Sequence, residues 1–344
     1  MPNDRVQWID FAKGFAIILV VAAHVMPKND INDLMSAFRM PFFFVMAGYL
    51  LNAEKWGRRW QEFKSRLYRR LLLPYFLSNF LWYPIWFIAC YLLGDLAIQN
   101  WTQRNQLGAF LAIFIGNNYN LGVVLLLYPL WFLPCLLYAE LIYLKLHNYF
   151  GARTSAFLKA IFILSAAGYV LGFFLHLPLG IDIAFAVQIF ILAGRLIKKY
   201  ELVDKLNFGA CLILLALPFL EIWLSGYVDM NKRIYGNFIL FYAAGIAGSL
   251  LVMKISVLLT SFSNKFCDFI SYCGRQSLMI LILHVPIIEI VYQATLLIAS
   301  LNSEFSVRIL FPEFYFVLLI CGVLIPVWIA KNFGKAPVIK NFCV

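Results

Sequence analysis

The sequence predicts an all-α polytopic membrane protein, with about ten transmembrane helices and both chain termini in the cytoplasm. Three observations carry that prediction. Hydrophobic residues make up 63% of the 344-residue chain and charged residues only 13%, a balance that excludes an ordinary soluble domain. Apolar runs of about 20 residues, the length that crosses a hydrocarbon core, recur along the whole sequence. The basic residues, which set a net charge of +11, collect in alternate connections between those runs.

Taken in order, the runs place helices at 8–26, 36–52, 71–93, 124–144, 157–175, 179–197, 206–225, 237–253, 277–299 and 308–330. The first carries charges and lacks a small-residue cleavage site, so it reads as an anchor and not as a cleaved leader. The second contains Pro41 and Gly48, and the fourth Trp131-Phe132-Leu133-Pro134. Between the third and fourth, 107–115 is too short to span and reads as re-entrant or interfacial. Asn117-Asn118-Tyr119-Asn120 after it reads as loop.

Orientation follows from charge. With the first residue inside, the inner segments hold Arg5, then seven basic residues from Lys55 to Arg70, then Lys145, Arg153 and Lys159. They continue with Arg195, Lys198, Lys199, Lys205, Lys254, Lys265, Arg275, Lys331, Lys335 and Lys340. The outer loops keep Lys28, Arg104, Lys232, Arg233 and Arg308, so the inner side wins about four to one. Dispersed in this way, the positive charge is a topology signal and predicts no nucleic-acid partner. Lys55 to Arg70 is denser than topology needs. Arg58, Arg59, Arg66 and Arg69 there suit anionic lipid heads or the phosphates of a cytoplasmic cofactor.

Seven cysteines (Cys90, Cys135, Cys211, Cys267, Cys273, Cys321 and Cys343) are scattered without zinc-ligand spacing, so neither a metal nor a disulfide is expected. The two halves of the chain do not mirror each other, which weighs against an inverted-repeat transporter.

The residues that invite chemistry lie at membrane depth. Asp10, Lys13 and His24 share the first span, where a mid-membrane Asp or Lys costs roughly 2.5–3.5 kcal/mol on insertion scales. Asp10 and Lys13 are helix-face neighbours. Lys13 and His24 are three turns apart, on one stripe about 16 Å long. Arg39 enters the second span from the outer side, near the end expected to hold His24, with five donors suited to an oxyanion. A snorkelling interfacial arginine is the plainer reading. Glu140 suits an ion pair with a base such as Lys13 as well as catalysis. His284 falls near mid-membrane and serves scaffold or site, whereas His147 and His176 sit at helix ends. Asp182 opens the sixth helix, where the positive helix end favours it, or contacts a sugar. No nucleophile elbow, phosphate loop or metal cluster is present. General-base activation of a hydroxyl and proton-coupled transport both use this residue set, and the residues alone leave both open.

Arg5-Val6-Gln7-Trp8-Ile9-Asp10-Phe11-Ala12-Lys13-Gly14 followed by His24 resembles the opening signature of acyltransferase family 3, a basic residue and then a histidine after ten intervening residues. Phe38-Arg39-Met40-Pro41-Phe42-Phe43-Phe44 with Gly48-Tyr49-Leu50 resembles its second signature. Leu130-Trp131-Phe132-Leu133 and Gly274 to His284 resemble later ones, and Pro178-Leu179-Gly180-Ile181-Asp182 is similar to the fucose 4-O-acetylase-like branch. Many relatives carry Ser where this chain has Ala47, and many add a periplasmic hydrolase-like domain after the membrane part.

The resemblance implies a single membrane-embedded acyltransferase domain over 1–344, in a bacterial inner membrane. It implies transfer of an acetyl group from acetyl-CoA to a hydroxyl of a surface polysaccharide or its lipid-linked precursor. His24 is then catalytic, accepting the hydroxyl proton or carrying the acetyl group briefly, supported by Asp10, Lys13 and Arg39, with acetyl-CoA a co-substrate and no cofactor bound permanently. Transfer is expected to finish within the membrane domain or in a partner. The alternatives are a transporter or flippase of a glycan precursor and, more weakly, a membrane sensor.

Overall fold

The computed structural model describes residues 6–26, 29–93, 106–151, 153–262, 264–301 and 313–334. Arg5, Lys28, Arg104, Arg308, Lys335, Lys340, Cys343 and the opening of the tenth predicted helix lie outside them. In chain order the α-helices are α1 (Gln7–Val25), α2 (Asp30–Leu50), α3 (Ala53–Arg58), α4 (Trp60–Leu67), α5 (Leu73–Leu93), α6 (Gln106–Ile115), α7 (Phe132–Phe150) and α8 (Thr154–Leu171). There follow α9 (Ile181–Ala186), α10 (Gln188–Lys199), α11 (Leu202–Lys205), α12 (Phe208–Ser225), α13 (Phe238–Thr260), α14 (Lys265–Arg275), α15 (Ser277–Leu301) and α16 (Glu313–Phe333). Among the described residues the only β pairing is two isolated bridges, Asn118 with Val123 and Asp229 with Ile234.

Eight helices among these residues are long and apolar enough to cross a membrane, and a bent pair, Pro178–Ala186 with Gln188–Lys199, makes a ninth. The chain is a multi-pass membrane protein. On α12, Ile213, Phe219 and Trp223 are exposed, the surface that a lipid-facing helix presents. The second predicted span, 36–52, is the helix α2, but Asp30, Asp33 and Arg39 lie along it and it falls short of the other spans in apolarity.

Three of the departures from the sequence expectation have a clear local reason. The dense basic stretch is not a loop. Phe63, Leu67 and Leu71 recur every fourth residue and are buried, so α4 and a π-helical turn (Tyr68–Leu72) run on into α5, and Lys64 to Arg70 ride on a helix. The fourth helix starts later than 124 because Val123 pairs with Asn118 through two backbone hydrogen bonds of 2.6 and 3.0 Å. The sixth is broken at Val187, turning by 52°. A break inside a membrane must satisfy its own backbone groups. Here Gln188 Nε2 donates to the Ala184 carbonyl (2.6 Å), Tyr242 donates to Ala186 (2.9 Å), and Ser165 Oγ accepts from the Ile189 N–H (3.1 Å).

The chain divides into two compact units, Met1–Asn32 with Ile255–Val344, and Asp33–Lys254. In the first, α1 lies along α14, where Phe11, Cys267 and Ile270 form a core with Phe15 and Ile18 against it. The approach is so close that a methyl group on Gly14 would overlap the Ile270 carbonyl, and one on Gly274 the Asp10 carbonyl. In the second unit α2 and α10 cross in the same way, Gly48 on the Ile191 carbonyl and Gly194 on that of Val45. Small residues let helix backbones touch where lipid offers no hydrophobic drive for association.

Candidate active site

In the first unit α1 carries the predicted stripe. Asp10 is buried and its Oδ2 lies 3.8 Å from Arg275 Nη1, a pairing that sequence reasoning missed although Arg275 stands in the segment containing Gly274. The Arg275 guanidinium also sits over the Tyr272 ring at 5.3 Å. Lys13 follows one turn later, half-buried.

His24 occupies the last turn of α1 and is half-buried. Its ring stacks on that of His284, with centroids 5.2 Å apart and planes inclined by 25°. His284 is wholly buried, and its Nδ1 lies 2.8 Å from the Ile280 carbonyl. A carbonyl only accepts, so Nδ1 carries a proton, and in the neutral ring Nε2 is then the basic nitrogen. That Nε2 has no hydrogen-bond partner among the described residues. Two histidines 260 positions apart in sequence thus form one imidazole pair, at the end of a span that also carries an acid and a base.

The remaining predicted residues lie in the second unit. Arg39 is half-buried on α2 within the electrostatic reach of Asp33 and Asp229. Half-buried Glu140 on α7 has Arg70 and Arg66 as the cations whose charge reaches it, which brings it to the basic helix. Arg58 at the end of α3, Arg59 between α3 and α4, and Arg66 and Arg69 on the basic helix are all exposed. Arg59 meets Glu62 at 3.5 Å, and Arg66 and Lys55 share the Trp56 ring at 5.1 and 5.0 Å. Guanidinium groups displayed in this way suit phosphate oxygens.

Asp182 is fully buried in a bidentate pair with Arg233: Nε to Oδ2 is 2.8 Å and Nη2 to Oδ1 is 3.0 Å. Arg233 also donates to the carbonyls of Asn231 (2.7 Å) and Asn117 (3.4 Å). Burial lowers the Arg233 pKa, but the Asp182 hydrogen bonds and charge outweigh it and hold the guanidinium above its usual value. Asn117 and Asn231 join side chain to side chain at 3.0 Å, and Asn231 donates to the Tyr119 hydroxyl at 2.8 Å. Both Asp182 oxygens are engaged, so this carboxylate has a structural use. His176 lies beside the same network. Its pKa is lowered, by burial first and then by the Arg233 charge, with the Asp182 charge opposing.

Beside α3, Arg195 donates to Glu54 at 2.7 Å, while His147 Nε2 stands 3.8 Å from the same carboxylate. The Glu54 pKa is lowered chiefly by its own backbone N–H at the start of α3 and further by Arg195, against burial. Among the described residues, no group of three or more His, Cys, Asp or Glu side chains is placed to hold a metal ion.

A family model described as an acyltransferase domain matches residues 6–331, nearly the whole chain. Comparison with curated proteins and comparison with solved structures gave no match.

Proposed function

The chain belongs to this acyltransferase family, and on that premise we propose that it is an O-acetyltransferase of a bacterial inner membrane. It acts as one membrane-embedded domain of ten spans, α2 and the bent pair included, with both termini cytoplasmic. Within the family we place it in the fucose 4-O-acetylase-like branch. The donor is acetyl-CoA, bound as a co-substrate, and the acceptor is a hydroxyl of a surface polysaccharide or its lipid-linked precursor. The observation that carries this reading is the imidazole pair of His24 and His284 at the end of a charged membrane span.

In the reaction, the acceptor oxygen forms a bond to the thioester carbonyl carbon and the carbon–sulfur bond breaks. His24 takes the hydroxyl proton and passes it to the departing thiolate. The carbonyl-bearing end of α1 favours the positive charge that forms meanwhile. Asp10 and Lys13 set the charge along the stripe, and Arg39 stabilises the oxyanion with a planar fork of donors. Arg58, Arg59, Arg66 and Arg69 hold the nucleotide phosphates.

A positioned base contributes about 10²–10⁴-fold in rate. His24→Ala is therefore expected to reach the membrane at normal level and to lose nearly all acetylation of purified glycan. Full acetylation by that variant would remove the central residue. Neutralising Arg58 with Arg59, and Arg66 with Arg69, is expected to weaken apparent acetyl-CoA affinity and to reduce its salt sensitivity. Unchanged donor affinity would leave these arginines as lipid anchors.

A further inference from the structure

We propose that His284 is the positioning partner of His24: a neutral imidazole whose Nε2 lone pair receives a His24 N–H once His24 has taken the hydroxyl proton. The inference rests on His24 as general base and assigns a role, and an atom, to the ring stacked upon it.

The geometry points to that atom. Ile280 O fixes the His284 proton on Nδ1, at 2.8 Å, and leaves Nε2 as an acceptor. Nε2 is buried and lacks a donor among the described residues, although buried polar atoms are nearly always paired. The ring lies against His24, centroids 5.2 Å apart. A histidine that gains a proton donates from both ring nitrogens. In the stacked arrangement that lone pair lies in the plane of the His284 ring, so the pairing requires the His24 ring to turn out of the stack, about χ2, its softer torsion.

The contact is absent while His24 is resting and forms with the charged ring. An interaction made only on the way to the transition state raises the rate and leaves substrate binding alone. In a serine-hydrolase triad a carboxylate does this work behind the histidine. A lone pair does it here without placing a further anion at membrane depth, where charge is expensive. The proton account is unchanged: the hydroxyl proton resides on one ring nitrogen of His24 and leaves from it to the thiolate, while the N–H of the other ring nitrogen donates to His284 and stays on His24. His284 ends as it began.

The test measures kcat and KM on membranes containing the full chain, with acetyl-CoA as donor and de-O-acetylated surface glycan as acceptor. His284→Phe fills the space without an acceptor, and His284→Gln returns one as a carbonyl oxygen. Relative to wild type, the Phe variant should lose roughly tenfold or more in kcat with KM for acetyl-CoA little changed, and the Gln variant should recover most of that loss. Wild-type kcat in the Phe variant would overturn the proposal. So would equal impairment of the two, or a loss confined to KM or to protein level. Nitrogen-15 spectra of histidine-labelled protein in micelles give an independent reading, since a His284 protonated on Nε2 in place of Nδ1 also overturns it. His24→Ala is assayed alongside. If that variant stays active, the base assignment fails; if it is dead while Gln and Phe behave alike, only the pairing fails.

Discussion

Asp182 with Arg233 and Asp10 with Arg275 join the same two chemical groups and end in opposite states. The first pair is closed, with two hydrogen bonds of 2.8 and 3.0 Å and side chains 0% and 2% exposed. Nη1 of the arginine donates to two backbone carbonyls. The second pair stands at 3.8 Å with Arg275 34% exposed, and its Asp10 lies on the helix that also carries Lys13 and His24. Nine residues after Arg275, His284 keeps a nitrogen without a donor among the described residues. Saturated polar groups resist change and hold a frame, whereas unsaturated ones are available to a reactant. Buried charge in a membrane protein therefore does not mark a site by itself. The state of its hydrogen bonds separates a frame from a site.

The largest expected effect falls on the closed pair. Arg233→Ala or Asp182→Ala strands a buried charge and should cost about 3–5 kcal/mol of stability, measured by thermal unfolding in detergent. Asp182→Leu combined with Arg233→Met should be far milder than either single change. Loss of glycan acetylation with stability intact would instead make Asp182 a site residue and break the comparison.

Next comes Gly14→Ala or Gly274→Ala. Each puts a methyl group into a backbone oxygen and should cost about 1–3 kcal/mol through overpacking. Asp10→Asn opposes a longer, partly exposed pair, so its stability change should stay within about 1 kcal/mol, with the effect appearing in the transfer rate. A stability loss as large as that of Asp182→Ala would make the two pairs equivalent. The smallest effect is expected for His147→Ala, which leaves the 2.7 Å bond of Arg195 to Glu54 in place; acetylation should remain close to wild type.

Much of this molecule was legible from local rules. Apolar runs located the helices because hydrocarbon demands about 20 residues of one character. The spacing of Asp10 and Lys13 followed from the helical period. What was not legible depends on partners distant in sequence. Nothing near Val187 announces a bend, because the run Ala186-Val187-Gln188 contains neither Gly nor Pro. The bend stands on Ser165 and Tyr242 from other helices. Asp182 looked like a ligand for a helix end or for a sugar until Arg233, from a loop 51 residues on, took both its oxygens. His24 and His284 were each visible as a membrane histidine, but no spacing rule joins positions so far apart.

The contact of Gly14 with Gly274 has a metric consequence. His24 lies ten residues after Gly14, and His284 ten residues after Gly274. At 1.5 Å per residue His24 stands about 15 Å from this common origin along the unbroken α1, whereas the path to His284 turns at Gln276, between α14 and α15. With no side chain between them, the backbones at that origin cannot ratchet past each other by a turn. The register of the imidazole pair is thus set at a point remote from it, and a methyl group added there would misalign two rings it never touches.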